Sequence, residues 1–386
     1  DKAGILPSDL LSADDVPPGF REPPPMNLRH PFQLPLWTVA APIAATILLA
    51  FAWGNALGGV LAIVVAAGLI ASVMAAVQHA EVVAHRVGEP FGALILALAV
   101  TVIEVSLIVS LKLFGGEGQD TLARDTVFAT VMIVCNGIVG LCLFAGAVRH
   151  QVAVFRVEGS APALAVLIPL TTLALVLPQF TTTTKGPSYS TLQLAFSGLM
   201  SLLLFGVYVF VQTIRHREHF LPVGDADDDH GEPPAQGAAL AAFVLLCVAL
   251  VAVVGLAKTL APGIEAAVAA IGAPSSFVGV VIALIVLLPE TGAAFREAVR
   301  NRMQISLNLA LGSALATIGL TIPAIAVVAI VFDMPITLGL AAKEIVLLVL
   351  TFAVSIITLT SGRATILHAA VHLVLFAAFL FLSIVP

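Results

Sequence analysis

The sequence predicts an all-α polytopic membrane protein of 11 transmembrane helices, one N-terminal helix plus two inverted five-helix repeats. Three observations lead there. Of 386 residues, 60% are hydrophobic and 10% charged, against about 25% charged in an ordinary soluble domain. The mean hydropathy is +1.09, and apolar runs of about 20 residues, enough for a helix to cross roughly 30 Å of hydrocarbon, recur along the chain. Lys and Arg alternate between the loops in step with those runs. This composition excludes a soluble enzyme. Cys135, Cys142 and Cys247 all sit in apolar runs, so neither a disulfide framework nor a C-x-x-C metal site is expected. A net charge of −6, with 17 Lys and Arg scattered in short loops, excludes a nucleic-acid partner. Ion or solute traffic across a lipid bilayer is the class that remains.

Residues 1–35 open with DKAGILPSDLLSADDVPPGFREPPP, rich in Pro and Asp and without an apolar h-region. They read as a disordered tail, not a signal peptide. Spans are expected at 36–54, 57–80, 90–113, 126–148, 161–181, 189–213, 237–260, 275–297, 304–331, 338–359 and 364–385, each bounded by polar, Pro or Gly residues. This divides the chain into a first helix (36–56), a first repeat (57–213), a linker (214–236) and a second repeat (237–386). The linker carries Asp225, Asp227, Asp228, Asp229 and Glu232 without the Gly spacing or terminal Glu of an EF-hand, and reads as a solvated acidic segment. Threading the spans puts 12 Lys and Arg on the side of the N-terminus and 4 on the other, with Lys343 inside span ten. By the positive-inside rule the N-terminus is cytoplasmic and the C-terminus external, in the cell (inner) membrane.

The two halves repeat each other. Glu81 is followed seven residues on by Gly88, then Glu89 and Pro90; Glu265 is followed seven on by Gly272, then Ala273 and Pro274. After Ser275 and Ser276 the register resumes, with 13 positions from Phe91 to Glu104 and 13 from Phe277 to Glu290. Asn136 with Gly140 and Asn308 with Gly312 share a four-residue spacing. Matching them makes the first half 14 residues longer between glutamate and asparagine, which a longer external loop, FGGEGQDTLARD, would absorb. Five spans per half invert the second copy, and in such folds the substrate site lies near the midplane between copies.

Glu104 and Glu290 fall deep in apolar spans. A carboxylate near the bilayer centre costs at least about 2.5 kcal/mol, so such residues face a cavity and work there. Hard oxygen ligands suit Ca²⁺, Mg²⁺, Mn²⁺, Na⁺ or H⁺, whereas the lack of His and Cys clusters beside them argues against Zn or Cu. Two adjacent carboxylates in low dielectric hold at least one proton until a cation displaces it, so cation and proton compete. Pro289 removes a donor and can break the helix beside Glu290. Asn136, Asn308, Ser313 and Thr101 are candidate supporting ligands or orienters. Glu81 and Glu265, at span ends before the turns, are candidates for an access path. His368 and His372 have metal-ligand spacing but no third ligand, and read as packed or interfacial; Lys343 and Glu344 are expected to snorkel or pair locally.

The segments GEPFGALILALAVTVIEVSL and LLPETGAAFREAVRNRMQISLNLALGSALATIGLTIP resemble the calcium/proton antiporters of the cation/proton exchanger family, in the calcium/cation antiporter superfamily and closest to its bacterial calcium/sodium:proton branch. Glu290, Asn301-Arg302-Met303 and Gly312-Ser313 carry the resemblance most specifically. It implies a first helix plus two inverted five-helix repeats joined by an acidic linker. It also implies that Glu104 and Glu290 bind the cation and exchange it for protons, with no cofactor. The family's Gly-Asn-Ala-x-Glu reads Val100-Thr101-Val102-Ile103-Glu104 and Val286-Leu287-Leu288-Pro289-Glu290 here; Ala316 replaces a usual glutamine, and Asn308 a frequent glycine. The expected activity is Ca²⁺ export against protons by alternating access. A Na⁺/H⁺ or K⁺/H⁺ antiporter is the alternative and a passive cation channel a remote one. With no Ser/His, paired Asp or H-E-x-x-H arrangement in the spans, no enzyme is expected.

Overall fold

A computed structural model describes residues 34–55, 58–88, 91–114, 119–220 and 234–386. Most of the N-terminal tail, Glu89, Pro90 and the acidic cluster Asp225–Glu232 lie outside these residues. With no water in a hydrocarbon slab, the backbone must satisfy its own hydrogen bonds, and helices do so within one segment. The described chain is almost wholly helical: α1 Leu36–Ala52, α2 Gly59–Val87, α3 Phe91–Phe114, α4 Leu122–His150, α5 Val157–Gln179, α6 Thr191–Arg215, α7 Gln236–Ala270, α8 Phe277–Val286, α9 Leu288–Val299, α10 Met303–Val331, α11 Ala342–Leu359 and α12 Ile366–Ile384. Among the described residues eight helices are long and apolar enough to cross a membrane, and α8 with α9, meeting at a 55° bend, makes a ninth if the pair is one span. α1 and the stretch Ala97–Val109 of α3 are apolar but shorter. The protein is an all-α, multi-pass membrane protein.

Several boundaries depart from the sequence reading. α2 and α7 run past residues 80 and 260 to Val87 and Ala270, with Pro262 inside α7. A proline costs a helical hydrogen bond without ending a helix that neighbours hold, and so Glu81 and Glu265 lie within helices instead of at turns. α11 starts at Ala342, not 338, because the Glu344 carboxylate accepts from the Ala341 N–H (2.7 Å) and caps the helix start. Lys343 Nζ donates to the Leu382 carbonyl (3.2 Å). The start of the expected linker is structured: α6 reaches Arg215, and Arg217–Phe220 forms a 3₁₀ turn.

Two apolar cores organise the helices. One joins α1, α2 and α7; the other joins α4, α5, α6, α10, α11 and α12. α3 and α8 feed both. On α8, Val278, Ile282 and Val286 face the first core while Val280 and Ala283 face the second, a split that helical periodicity allows. Gly279 lets α8 lie directly on α4, since a Cβ there would stand 2.8 Å from the Thr126 nitrogen and 2.9 Å from the Asp125 carbonyl carbon. Two-residue strands, β1 (Ala153–Val154) and β2 (Arg363–Ala364), pair antiparallel and tie the α4–α5 and α11–α12 connections together.

Wide π-turns interrupt α4 at Ile133–Ile138 and α10 at Thr317–Thr321. Ile133 follows Glu104 by 29 residues and Thr317 follows Glu290 by 27, whereas Asn136 follows Glu104 by 32 residues and Asn308 follows Glu290 by 18. Asn136 lies inside the π-turn of α4, and Asn308 lies in the regular first part of α10.

α1 is held to α2 by a buried hydrogen bond. Pro42 stands four residues after Thr38 and has no N–H to give that carbonyl. The fully buried His79 takes the place, its Nε2 2.8 Å from Thr38 O. A carbonyl only accepts, so Nε2 carries the proton. His79→Leu strands the carbonyl and is expected to cost about 1–3 kcal/mol. Adding Pro42→Ala, which restores a helical donor, is expected to recover much of that loss in thermal unfolding of the detergent-solubilised protein.

Candidate cation-binding site

Glu104 sits midway along the unbroken α3, 1% exposed. Its Oε2 accepts a hydrogen bond from Thr321 Oγ1 (2.9 Å), and the hydroxyl of Thr317 lies near enough to favour the carboxylate electrostatically. The two threonines are four residues apart and so share one face of α10 at its π-turn. Gly319 between them lets Phe205 of α6 press close, where a Cβ would meet its side chain at 2.5 Å. Oε1 of Glu104 is buried without a protein partner.

Glu290 is held differently. Pro289 cannot donate to the carbonyl four residues back, and the helix bends at Leu287 between α8 and α9. Glu290 thereby occupies the first turn of a new helix, where unpaired N–H groups and the helix dipole favour an anion. Oε2 is buried without a partner. Glu290 lies within electrostatic reach of Glu104 and of Glu81, which is exposed near the end of α2, accepts from Gln78 Nε2 (2.8 Å) and feels the charge of Arg296. A cavity of ≈ 190 Å³ between α3, α6, α9 and α10 ends on Glu290, lined also by Tyr208, Gln212, Asn308, Gly312 and Ser313. The Tyr208 hydroxyl and Ser313 Oγ are likewise buried and unpartnered. Nothing stands within 4 Å of where a Cβ on Gly312 would sit.

Of the residues singled out in the sequence, Glu290, Ser313 and Asn308 line the cavity, and Glu104 and Glu81 lie within electrostatic reach of Glu290. The structure turns others away. Thr101 Oγ1 donates to Ala97 O in its own helix (2.8 Å). Asn136 is fully buried but committed elsewhere: Nδ2 donates to Thr351 Oγ1 (2.9 Å), and Oδ1 faces His372 Nδ1 at 3.4 Å. His372 Nε2 also meets Thr358 Oγ1 (3.1 Å), whereas His368 Nδ1 accepts from the Thr365 N–H at the start of α12 (3.2 Å), so the two histidines do not converge. Glu265, half-buried near the far end of α7, is not among the cavity residues. Thr321 and Tyr208 were not foreseen; the Thr-x-x-x-Thr spacing at 317–321 was the available signal.

Carboxylates, hydroxyls and an amide make a hard, all-oxygen donor set suited to protons and to alkali or alkaline-earth cations. Such a set, inside a multi-pass helical protein, defines a secondary transporter and not a hydrolase or redox enzyme. Comparison with known proteins specifies the class. The sodium/calcium exchanger protein family model matches residues 41–214 and 241–385; the chain belongs to this family of membrane antiporters. It is 46% identical to the putative ionic transporter y4hA of Sinorhizobium fredii (strain NBRC 101917 / NGR234), over 92% of this chain and 97% of the relative. It is 36% identical to the sodium-potassium/proton antiporter ChaA of Escherichia coli (strain K12), over 78% and 83%. The fold matches the structure of native YfkE with a TM-score of 0.70 at 18% identity, over 91% and 99% of the two chains.

Two substitutions test the geometry. Thr321→Val removes a hydrogen bond to a charged group, worth about 1.5–3 kcal/mol, and is expected to raise the half-saturating cation concentration roughly 10- to 100-fold in vesicle exchange assays. Gly312→Leu fills the cavity without meeting backbone; exchange is expected to be lost while the melting temperature of the purified protein holds.

Proposed function

We propose that the chain exports Ca²⁺ from the cytoplasm in exchange for protons, by alternating access around Glu104 and Glu290. The observation that carries this reading is the pair of buried, unpartnered carboxylate oxygens, Glu104 Oε1 and Glu290 Oε2, on groups that feel one another's charge. An empty dianion is too costly to carry through a low-dielectric slab. One Ca²⁺ or two protons neutralises the pair, so each reorientation carries one or the other, and antiport follows without further machinery. Ca²⁺ takes six to eight oxygens; the Glu104 and Glu290 carboxylates, Ser313 and water reaching the cavity are the donors on this reading, with Thr317 and Thr321 orienting Glu104.

The layout that serves this cycle is eleven spans, with α8 and α9 as one broken span. α1 is followed by two inverted five-span repeats (57–213 and 237–386) joined by the linker 214–236. Support comes from the π-turns at comparable distances beyond the two glutamates and from the close packing of α2 on α7. The N-terminus is cytoplasmic in the inner membrane on this reading, because Arg149, Arg215, Arg296, Arg300 and Arg363 all fall at helix ends of that side. Gln212 lies within one turn of Arg215, so the cavity opens toward the cytoplasm.

A second reading has its own support. The 36%-identical relative is named as a sodium-potassium/proton antiporter, and one carboxylate holding Na⁺ or K⁺ with a proton on the other is equally neutral. Everted membrane vesicles with an acid interior separate the readings. Ca²⁺ is expected to dissipate the pH gradient in wild type and not in Glu104→Gln or Glu290→Gln. Dissipation by Na⁺ or K⁺ alone moves the substrate to the second reading, and cation uptake without proton movement overturns antiport in favour of a channel.

A further inference from the structure

Away from the glutamates, one group of side chains among the described residues has a metal-ligating composition: His216, Glu218 and His219, whose ligand atoms all lie within 4.8 Å of one another. His216 Nδ1 and His219 Nε2 stand 3.6 and 3.8 Å from the same oxygen, Glu218 Oε1. The two imidazoles stack with centroids 5.1 Å apart and planes 10° apart. Ligands about 2.0–2.1 Å from a tetrahedral metal are about 3.3–3.4 Å from each other, so closing this set takes side-chain movements on the order of 1 Å. All three side chains are solvent-accessible and free to make them.

The turn that carries these ligands is seated on the transport cavity. Asn308, which lines the cavity beside Glu290, donates through Nδ2 to the carbonyl of Phe220 (2.6 Å) and accepts through Oδ1 from Gln304 Nε2 (2.9 Å). The buried ring of Phe220 meets Tyr208, another cavity residue, edge to face at 6.1 Å. Arg156 Nη1 donates to the Glu218 carbonyl (3.0 Å). Gly159 of α5 makes room, since a Cβ there would strike the His219 carbonyl and the Gln304 amide.

The geometry points to His216, Glu218 and His219 as a regulatory site for a borderline divalent metal of the Zn²⁺ class, built on the turn that braces the mouth of the cavity. Two imidazoles and a carboxylate suit Zn²⁺, Ni²⁺ or Cu²⁺ and not Ca²⁺ or Mg²⁺, so this ion is distinct in class from the proposed cargo. A metal joining both histidines to Glu218 stiffens Arg217–Phe220. It thereby fixes Asn308 and Tyr208 in the arrangement seen, holding the cavity in one state and slowing exchange.

The test uses the full chain, purified with its affinity tag removed. Calorimetric titration with Zn²⁺ is expected to show one site, weakened at least ~10-fold in His216→Ala/His219→Ala. Co²⁺ is expected to give a tetrahedral absorption band in wild type only, and Zn²⁺ to slow amide exchange at 216–220 in wild type only. Equal Zn²⁺ affinity in the double variant, or none in wild type, overturns the site. The effect on transport rests on the antiport reading: Zn²⁺ on the cytoplasmic side is expected to slow cation/proton exchange in wild type and not in the variant. Binding without that difference removes the regulatory link and leaves the site. Absence of any exchange in untreated vesicles counts against the antiport reading, while the binding measurements still decide the metal.

Discussion

A carboxylate buried in a slab without water must be answered by donors from the protein or by cargo, and two irregularities of this fold fall where that requirement bites. Glu104 is answered by hydroxyls, and the helix that supplies them is widened into a π-turn at Thr317–Thr321. Glu290 is answered by the start of a helix, and there the chain breaks at Leu287 ahead of Pro289. Neither distortion would be tolerated facing lipid, where an unpaired backbone group costs several kcal/mol. Both lie against protein or an open cavity, the only surroundings that absorb them.

The two halves solve the same problem unequally. Glu104 is sealed, with one oxygen anchored by the Thr321 hydroxyl and one unpartnered; Glu290 opens on the cavity, within electrostatic reach of Glu81. The three carboxylates are compensated by different devices: Arg296 near Glu81, a helix N-terminus at Glu290 and a hydroxyl donor at Glu104. On the proposed antiport reading, compensation divided in this way avoids any single position where a bare cation or a bare carboxylate must stand in a dry environment.

Composition and run length carry the all-helical membrane class, because the bilayer leaves few other solutions. The two glutamates were legible for the same reason: an intramembrane acid is expensive enough to stand out in a plain sequence. What was not legible depended on how helices turn toward each other. Asn136 and Asn308 look alike as letters, yet one is spent on Thr351 and His372 and the other on Phe220 and Gln304. Thr321 carried no signal of its own, since a threonine in an apolar helix more often bonds back to its own turn, as Thr101 and Thr130 do. The ends of α2 and α7 were misplaced because Gly, Pro and charged residues mark boundaries only where neighbouring helices do not carry the chain onward.

The alternating access proposed above needs parts that stay intact while moving relative to each other, and the apolar contacts divide into two cores. The core of α1, α2 and α7 is continuous, as is the larger core on the other side. Between them α3 and α8 present one face to each. Glu104 lies on one of these intermediate helices and Glu290 just past the end of the other. Dispersion and packing within each core resist deformation, so the least costly displacement runs along the seam where polar groups interrupt apolar contact. On the proposed antiport cycle, carboxylates in that seam couple their charge to the position of the two bodies: neutralised, the seam is apolar enough to slide; charged and empty, it holds still.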